Sequence, residues 1–550
     1  MNMPDRPSAH EGPDKRTTGR NREHFDLDAV ARGLAYLVPL VISLVIVAVP
    51  ARIWIVNLVT DDALYYPVIA RNIASGFGST FDGVTQTNGY HPLWCWLQVP
   101  IAASANWLGL GSMAYLWLVK LLMGAVVLIA LLVWNKLLFV VLGSTSICGT
   151  FVLLLGAYWW SVYTLYSGME TALVILLIGV CLTLAHELLY NSKLLTAFVL
   201  GVATAACFLA RLDTVFFLGV LAVTLVVRLG RHFRVQAAWM LPALLLPLPY
   251  LLWNVSVFGS PVPVSGVRKS VARLDLAQQL EILVNFVHDK IRKLVGVLPP
   301  GVLLLSLAVV CFVIWVIRNP LLENVKRLGI LWVLPVAAVL HFLYTSIFMT
   351  EADVYWYQYV EYLSGFLVIA LVVSSSALWI ADRELRLNLR WVPLAVICIG
   401  VMVLLLGYAP RKLPNPLKVH AYETAVWARQ HMQPATLRFA MLDPGIFRFV
   451  SGFDTIALNG LAGDQVMMNL IKEGNTVRVI RDYHVDYVVA AIREADVPSI
   501  PARYVVNISS EFDYHGHGRF LIIKSSYWEG KLKFGFPPWW VAGPGSGAAE

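Results

Sequence analysis

Thr60-Asp61-Asp62-Ala63-Leu64-Tyr65-Tyr66 follows directly on the first long apolar segment of the chain, and Thr87-Asn88-Gly89-Tyr90-His91-Pro92 closes the loop behind it. Two adjacent carboxylates are costly inside hydrocarbon, so they must face water, a cation or a polar substrate at the membrane surface. The loop is dense in turn chemistry. Ala63 to Ser75 carries Leu64, Val68, Ile69 and Ile73 at the spacing of an amphipathic helix lying at the interface. Gly76-Phe77-Gly78 ends that helix, Phe81-Asp82-Gly83 and Asn88-Gly89 are turns, and Pro92 opens the next helix. A capping role at a helix N-terminus needs one acid. It therefore explains half of the Asp61-Asp62 pair. For His91 the plain alternative is an interfacial hydrogen bond.

The surrounding composition makes the membrane reading firm. Of 550 residues, 58% are hydrophobic and 14% charged, with a mean hydropathy of +0.68. Soluble domains carry about 25% charged residues, so this is a polytopic membrane protein. The net charge of +8 does not indicate nucleic acid, because the basic residues cluster between apolar runs and report topology. The six cysteines, Cys95, Cys148, Cys181, Cys207, Cys311 and Cys398, all fall in apolar segments with no metal-type spacing. They read as buried hydrophobes. Residues 1–32 are polar and charged, too long and acidic for a signal peptide, and read as a disordered cytoplasmic tail.

Stretches able to span occur near 34–57, 92–109, 113–134, 137–157, 170–190, 194–210, 212–228, 238–256, 294–317, 328–348, 361–380 and 391–409, at roughly 20 residues per span. Residues 33–410 thus form a membrane domain of about 11 to 13 helices. The basic tail and the loops Arg228–Arg234, Arg318–Arg327 and Asp382–Arg390 belong in the cytoplasm. Asp61-Asp62, loops 257–293 and 349–360, and everything after 410 then lie outside. A cytoplasmic start and an outside end require an odd number of spans. Twelve candidates do not close, so one between 92 and 228 is expected to be re-entrant or a half-span, or a thirteenth is missed. Residues 411–550 begin with a Pro-rich linker and continue with helix-like 418–432, strand-like Thr436–Leu442 and Thr455–Leu458, an amphipathic helix over 465–482, and strand-like Tyr487–Ile492 and Phe520–Lys524. The expectation is a small extracytoplasmic α/β domain with a flexible tail. His515-Gly516-His517 is weak as a metal motif.

Together, Asp61-Asp62-Ala63-Leu64-Tyr65-Tyr66, Ala70-Arg71-Asn72-Ile73-Ala74, Gly76-Phe77-Gly78 and Thr87-Asn88-Gly89-Tyr90-His91-Pro92-Leu93-Trp94 resemble the bacterial branch of the GT-C glycosyltransferase superfamily. Ser167-Gly168-Met169-Glu170-Thr171, Ala210-Arg211-Leu212-Asp213, Asn254 through Phe258–Gly266 to Lys269, Asp443-Pro444-Gly445 and Leu458-Asn459-Gly460-Leu461 resemble its recurrent segments. The likeness runs from about 34 to 495, and the first loop is its most specific part. It implies an integral membrane enzyme that moves a sugar from a polyprenyl-phosphate donor to an envelope glycan, lipid or protein with inversion, at the outer face of the bacterial cytoplasmic membrane. The catalytic acid at the end of the first span would be Asp61, Asp62 or both, acting as general base on the acceptor hydroxyl, with His91 beside it. Arg71, Asn88, Tyr90, Glu170, Arg211, Asp213, Arg268 and Lys269 are the candidate substrate-binding residues. Arg211, Arg268, Lys269 and Arg273 are the cations available to the leaving phosphate. Arg211 and Asp213 read equally well as an intramembrane ion pair, Arg268 and Lys269 as loop charge, and Glu170 as a helix cap.

Glu351 and Asp353 form a second outside acidic pair, beside Tyr355, Trp356 and Tyr357. With Asp61-Asp62 they could hold a divalent cation, Mg or Mn, the one cofactor the sequence suggests; a solvated loop with interfacial aromatics is the plainer reading. The amphipathic run 274–294 could lie on the membrane near a lipid entrance. Membrane lipids are expected partners and nucleic acid is not. The absence of a phosphate-cradling Gly-rich motif argues against a soluble nucleotide-sugar donor. Two other functions fit the composition: a transporter or flippase for lipid-linked glycans, and a non-catalytic envelope assembly protein. The first should show internal repeats and mid-span charges; no repeat is seen and the unusual charges sit at span ends. The second leaves the Asp pair and the His91 loop unexplained.

Overall fold

A computed structural model describes residues 27–269, 284, 314, 317–349, 355–382, 415–433, 436–509, 512–513 and 517–529. Among them, six helices are long and apolar enough to cross a membrane, or up to eight if each of two bent pairs is one span. The chain is a multi-pass membrane protein. The candidate spans 294–317 and 391–409 and the tail 1–26 lie outside the described residues, as do Glu351, Asp353, Arg273, His515 and nearly all of 274–294.

The first span, Leu27–Ala48, turns by 113° into Ala51–Asn57. Pro50 explains the break: it has no N–H and its ring blocks the preceding turn. Lys120, buried in the span Ser112–Leu142, donates its ammonium to the freed carbonyl of Val49 and lies 5.9 Å from the centroid of the Trp54 ring. Not all unusual charges therefore sit at span ends. A mid-span lysine is satisfied because the broken helix offers a carbonyl and a negative dipole end.

Two expected spans, 113–134 and 137–157, are divided differently. Ser112–Leu142 is one 31-residue helix. The polar Asn135 does not interrupt it, since Asn135 accepts a hydrogen bond from Tyr36 in the first span at 2.9 Å. Gly143, at φ +66°, ends it, and Thr145–Ala157 with Trp159–Leu165 forms the second bent pair.

The candidate span 92–109 is a shorter helix tied to the first loop. Pro92–Trp107 has 16 residues, about 24 Å at 1.5 Å each. Arg71, near the end of the surface helix Tyr65–Ala74, hydrogen-bonds Asn106 (3.0 Å), Ser112 (3.1 Å) and the Leu110 carbonyl (2.8 Å). The C-terminal end of Pro92–Trp107 is thereby tied to the end of the surface helix Tyr65–Ala74.

Among the described residues the C-terminal domain holds six strands: β1 Arg438–Met441, β2 Asp454–Ala457, β3 Tyr487–Arg493, β4 Val505–Ile508, β5 Phe512–Asp513 and β6 His517–Lys524. The order is β2-β1-β3-β6-β4, with β5 pairing to β6. β2-β1-β3 is parallel and β3-β6-β4 antiparallel. The short strands β4 and β5 escaped sequence reading. The expected helix 465–482 is two, Gln465–Lys472 and Thr476–Asp482, separated at Gly474 with φ +75°. Cys95, Cys148, Cys181 and Cys207 are free and buried, as expected; Cys311 and Cys398 fall outside the described residues.

This domain sits on the first loop. Asp82 accepts from the N–H groups of Val84 and Thr85 and lies 3.8 Å from Arg438. Arg448 pairs with Asp454 at 3.1 Å and donates to the Phe81 carbonyl. Lys418 of helix Pro416–His431 reaches the Tyr163 hydroxyl at 2.9 Å. The surface helix Tyr65–Ala74 is therefore covered rather than solvated, and Tyr65 to Ala70 are all buried.

Candidate active site

Three clasps bring distant segments together at one membrane face. In the first, the turn Tyr166-Ser167-Gly168 presents its carbonyls to Trp54 Nε1 (2.8 Å), the Thr60 N–H (3.0 Å) and Trp94 Nε1 (3.0 Å). This holds Glu170 beneath the first loop. In the second, Asn88 donates to the Asn254 side chain at 3.2 Å and accepts from the Val264 N–H at 3.0 Å. That fixes the segment leading to Lys269. In the third, Asn459 of the C-terminal domain donates to Tyr65 Oη (3.0 Å) and Asp443 (3.1 Å), and its carbonyl accepts from Arg268 at 3.2 Å.

Between the clasps lies a cavity of about 430 Å³. Asp62, Tyr90, His91, Asp213, Lys269 and Tyr357 are among its polar lining residues, and Val215, Phe216, Val262 and Met349 are among its apolar ones. Lys269 Nζ stands 3.7 Å from Asp62 and 3.3 Å from the Tyr357 hydroxyl. The mixed lining suits a ligand with a charged head and an apolar body.

The acidic pair divides its work. Asp61 accepts from the Gly445 N–H at 2.6 Å on one oxygen and from the Ile446 N–H at 2.8 Å on the other. It caps the helix Gly445–Ser451 of the C-terminal domain rather than its own helix. Asp62 faces the cavity. One oxygen each from Asp61, Asp62 and Asp443 lie within 4.8 Å of one another. Burial, with the nearby Asp443 charge, pushes the Asp61 carboxyl up to about 8 against the pull of its two N–H donors. Burial and the same carboxylates push the Tyr65 hydroxyl well above its ordinary range, so it stays protonated.

Beneath the cavity runs a buried ionic cluster. Arg211, 1% exposed, donates to Glu170 at 2.8 Å and to both oxygens of Asp213 at 2.9 and 3.0 Å. Tyr66 donates to the other Glu170 oxygen at 2.6 Å. His91 Nε2 lies 3.6 Å from Glu170, and its Nδ1 has no partner. Burial lowers the His91 pKa, opposed by Glu170, so the ring is neutral at neutral pH. Asp213 also accepts from Tyr359 at 2.9 Å and faces His341 at 3.6 Å, and His341 meets Glu361 at 2.8 Å.

Of the sequence candidates, Asp62, Tyr90, His91, Asp213 and Lys269 meet at the cavity. Glu170 and Arg211 lie under it, paired with each other. Asn88 is a clasp, Arg268 is turned to the C-terminal domain, and Arg71 is spent on the 106–112 turn, away from the cavity. Sequence reading missed Asp443 and Asn459 as site residues although their segments had drawn notice. It also missed His341 and Glu361, which carry no signal in sequence beyond being ionisable within apolar runs.

The approach of the C-terminal domain is close enough to need glycine. A Cβ on Gly445 would fall inside the contact radius of the Asp61 carbonyl oxygen, and one on Gly89 inside that of Leu461. Gly445→Val is expected to release the C-terminal domain. Limited proteolysis of the purified chain should cut it severalfold faster than the parent, whereas Gly365→Ala, where the space is open, leaves the rate unchanged. Equal rates for all three would show that this contact does not hold the domain.

No protein-family model matches the chain, and no curated protein matches it either. Solved structures do. ArnT from Cupriavidus metallidurans in the apo state is similar at TM-score 0.51 and 15% identity, over 90% of this chain and 98% of that one. The same protein bound to undecaprenyl phosphate gives 0.49 and 14%, over 88% and 97%. The Archaeoglobus fulgidus oligosaccharyltransferase complex with Zn and sulfate gives 0.44 and 12%, over 89% of this chain and 72% of that chain. ArnT is a GT-C glycosyltransferase, and the likeness to its apo form is one of fold: the chain has the GT-C fold with a C-terminal sheet domain.

Proposed function

We propose that this chain is a membrane glycosyltransferase that moves a sugar from a polyprenyl-phosphate donor to an envelope acceptor at the outer face of the cytoplasmic membrane. The observation that carries the reading is the cavity. It is mostly apolar with a cluster of ionisable groups at Asp62, His91, Asp213 and Lys269, it opens at the membrane face opposite the basic loops, and Leu461 of the C-terminal domain borders it within a GT-C fold. The bias of Lys and Arg to cytoplasmic loops supports reading that opposite face as the outer one.

Asp62 is the general base. It takes the proton of the acceptor hydroxyl as the oxygen bonds to the anomeric carbon. The bond from that carbon to the phosphate oxygen breaks, and polyprenyl phosphate leaves with the electron pair from the far side, inverting the centre. Lys269 stabilises the leaving phosphate. His91 and Tyr90 line the sugar's place. Asp61 acts through position: by binding Gly445 and Ile446 it sets both the domain roof and the backbone that carries Asp62. Incubating the purified chain with a panel of polyprenyl-phosphate sugars and an envelope extract tests the reading. Consumption of one donor with formation of a glycosylated acceptor supports it. Donor-free transport of a lipid-linked glycan in vesicles overturns it.

A divalent cation, Mg or Mn, fits Asp61, Asp62 and Asp443, whose hard oxygens and crowded charge suit it. Bound there, it would supply positive charge to the departing phosphate. The sign of the pH dependence follows from Asp61. An acid whose folded value is raised to about 8 contributes stability that is complete below its unfolded value and is lost as pH rises through 8. A cation displaces that proton, so it binds more tightly as pH rises. Millimolar Mn or Mg should raise the unfolding temperature more at pH 8.5 than at pH 6.5, and Asp61→Asn should blunt the effect. A cation shift independent of pH and of Asp61 would place the ion elsewhere.

A further inference from the structure

We propose that the membrane face opposite the active site carries a binding site for the phosphate headgroup of an anionic phospholipid, formed by the turn Arg228–Arg234 and the adjoining turn at Lys193. Four spans fix its location. Thr171–Asn191 starts beside Glu170, Leu194–Ala210 ends beside Arg211, Leu212–Leu229 carries Asp213 in its first turn and Phe233–Phe258 ends before Ser260. Those ends are at the active-site cavity or directly under it. The other ends of all four converge on a cleft of about 510 Å³ lined by Leu194, Arg231, His232, Phe233, Arg234 and Val235.

The cleft is shaped rather than merely charged. Gly230, at φ +53°, reverses the chain, and Gln236 Nε2 holds the turn by donating to the Gly230 carbonyl at 2.7 Å. Arg231 and Arg234 line it, and Lys193 and Arg228 lie beside it at the adjoining turn and helix end. Among the described residues no carboxylate pairs with any of the four; Glu187, on the neighbouring helix, accepts from Thr196 instead. Unpaired guanidinium groups in a concave turn match phosphate oxygens in fork geometry. The surroundings select a lipid over a free anion. Phe233 is 72% exposed, Leu195 74% and Tyr190 77%, all at that same membrane end, where acyl chains and interfacial aromatics meet. Topological charge bias alone accounts for the sign of this loop but not for a cleft with an apolar rim.

The full chain, purified and delipidated in a neutral detergent, is titrated with phosphatidylglycerol, phosphatidylcholine or inorganic phosphate while thermal unfolding is followed. Phosphatidylglycerol should raise the unfolding temperature and the other two should not. Arg231→Ser/Arg234→Ser should weaken the effect roughly tenfold or more. Lys326→Ser/Arg327→Ser, which removes equal charge from another loop of the same face, should leave it intact. Equal loss in both pairs reduces the effect to nonspecific charge and overturns the site. A response to phosphate alone overturns the lipid assignment. Should the first pair not fold, native mass spectrometry of the parent chain in an equimolar lipid mixture decides: preferential retention of phosphatidylglycerol supports the site, and equal retention of both lipids overturns it.

Discussion

Asp62→Asn should reduce donor turnover by about 10²–10⁴-fold, the range for loss of a positioned general base, while leaving the unfolding temperature within a degree or two of the parent. The substitution keeps the shape and removes only the proton acceptor. Asp61→Asn should behave differently. An amide can accept one of the N–H groups of Gly445 and Ile446 but turns its own NH₂ towards the other. Leaving a buried donor unmet costs about 1–3 kcal/mol. That variant should therefore lose stability and become protease-sensitive, with activity falling in proportion to undocking of the C-terminal domain. Measuring turnover and unfolding on the same preparations separates the two. If Asp61→Asn abolishes turnover with an unchanged fold while Asp62→Asn remains active, the base has been assigned to the wrong carboxylate.

The second large effect concerns the cluster under the cavity. Arg211→Met would leave Glu170 and Asp213 buried without their shared cation, and removing one partner of a buried pair typically costs about 3–5 kcal/mol. Arg211→Lys should recover little. The guanidinium meets Glu170 through Nη1 and Asp213 through Nε, whereas an ammonium is a single point donor that cannot reproduce that fork. Glu170→Gln/Arg211→Met/Asp213→Asn should regain much of the loss, because no uncompensated charge remains. Unfolding in detergent across this series gives the coupling energy directly. If Arg211→Met is as stable as the parent, water must reach the cluster, and its role in supporting the cavity floor would be refuted.

These two effects lie at different depths of legibility. Asp61-Asp62 announced itself because two charges at a span exit violate a strong solvation rule. That a lone cap accounts for one acid only was correct as arithmetic, yet the helix being capped lies almost four hundred residues away. Arg211 and Asp213 were open between ligand and ion pair. The structure shows an ion pair with Glu170 as third member, while Asp213 keeps one side on the cavity.

What the sequence determined by itself was set by local and compositional physics. Apolar runs of span length have one good solution in a bilayer, Lys and Arg counts orient them, and alternating helix and strand patterns after residue 411 build a layered domain. What only the tertiary structure decided was set by meetings across long separations. Examples are the Asn459 clasp on Tyr65, the cap from Asp61 to Gly445, the placement of Lys269 through Asn88 and Asn254, and the tie of the Asn106–Ser112 turn to Arg71. A hydrogen bond between such residues adds little to either local pattern. Its partners are chosen by where packing leaves an unmet donor or carboxylate, and that exists only once the chain has folded.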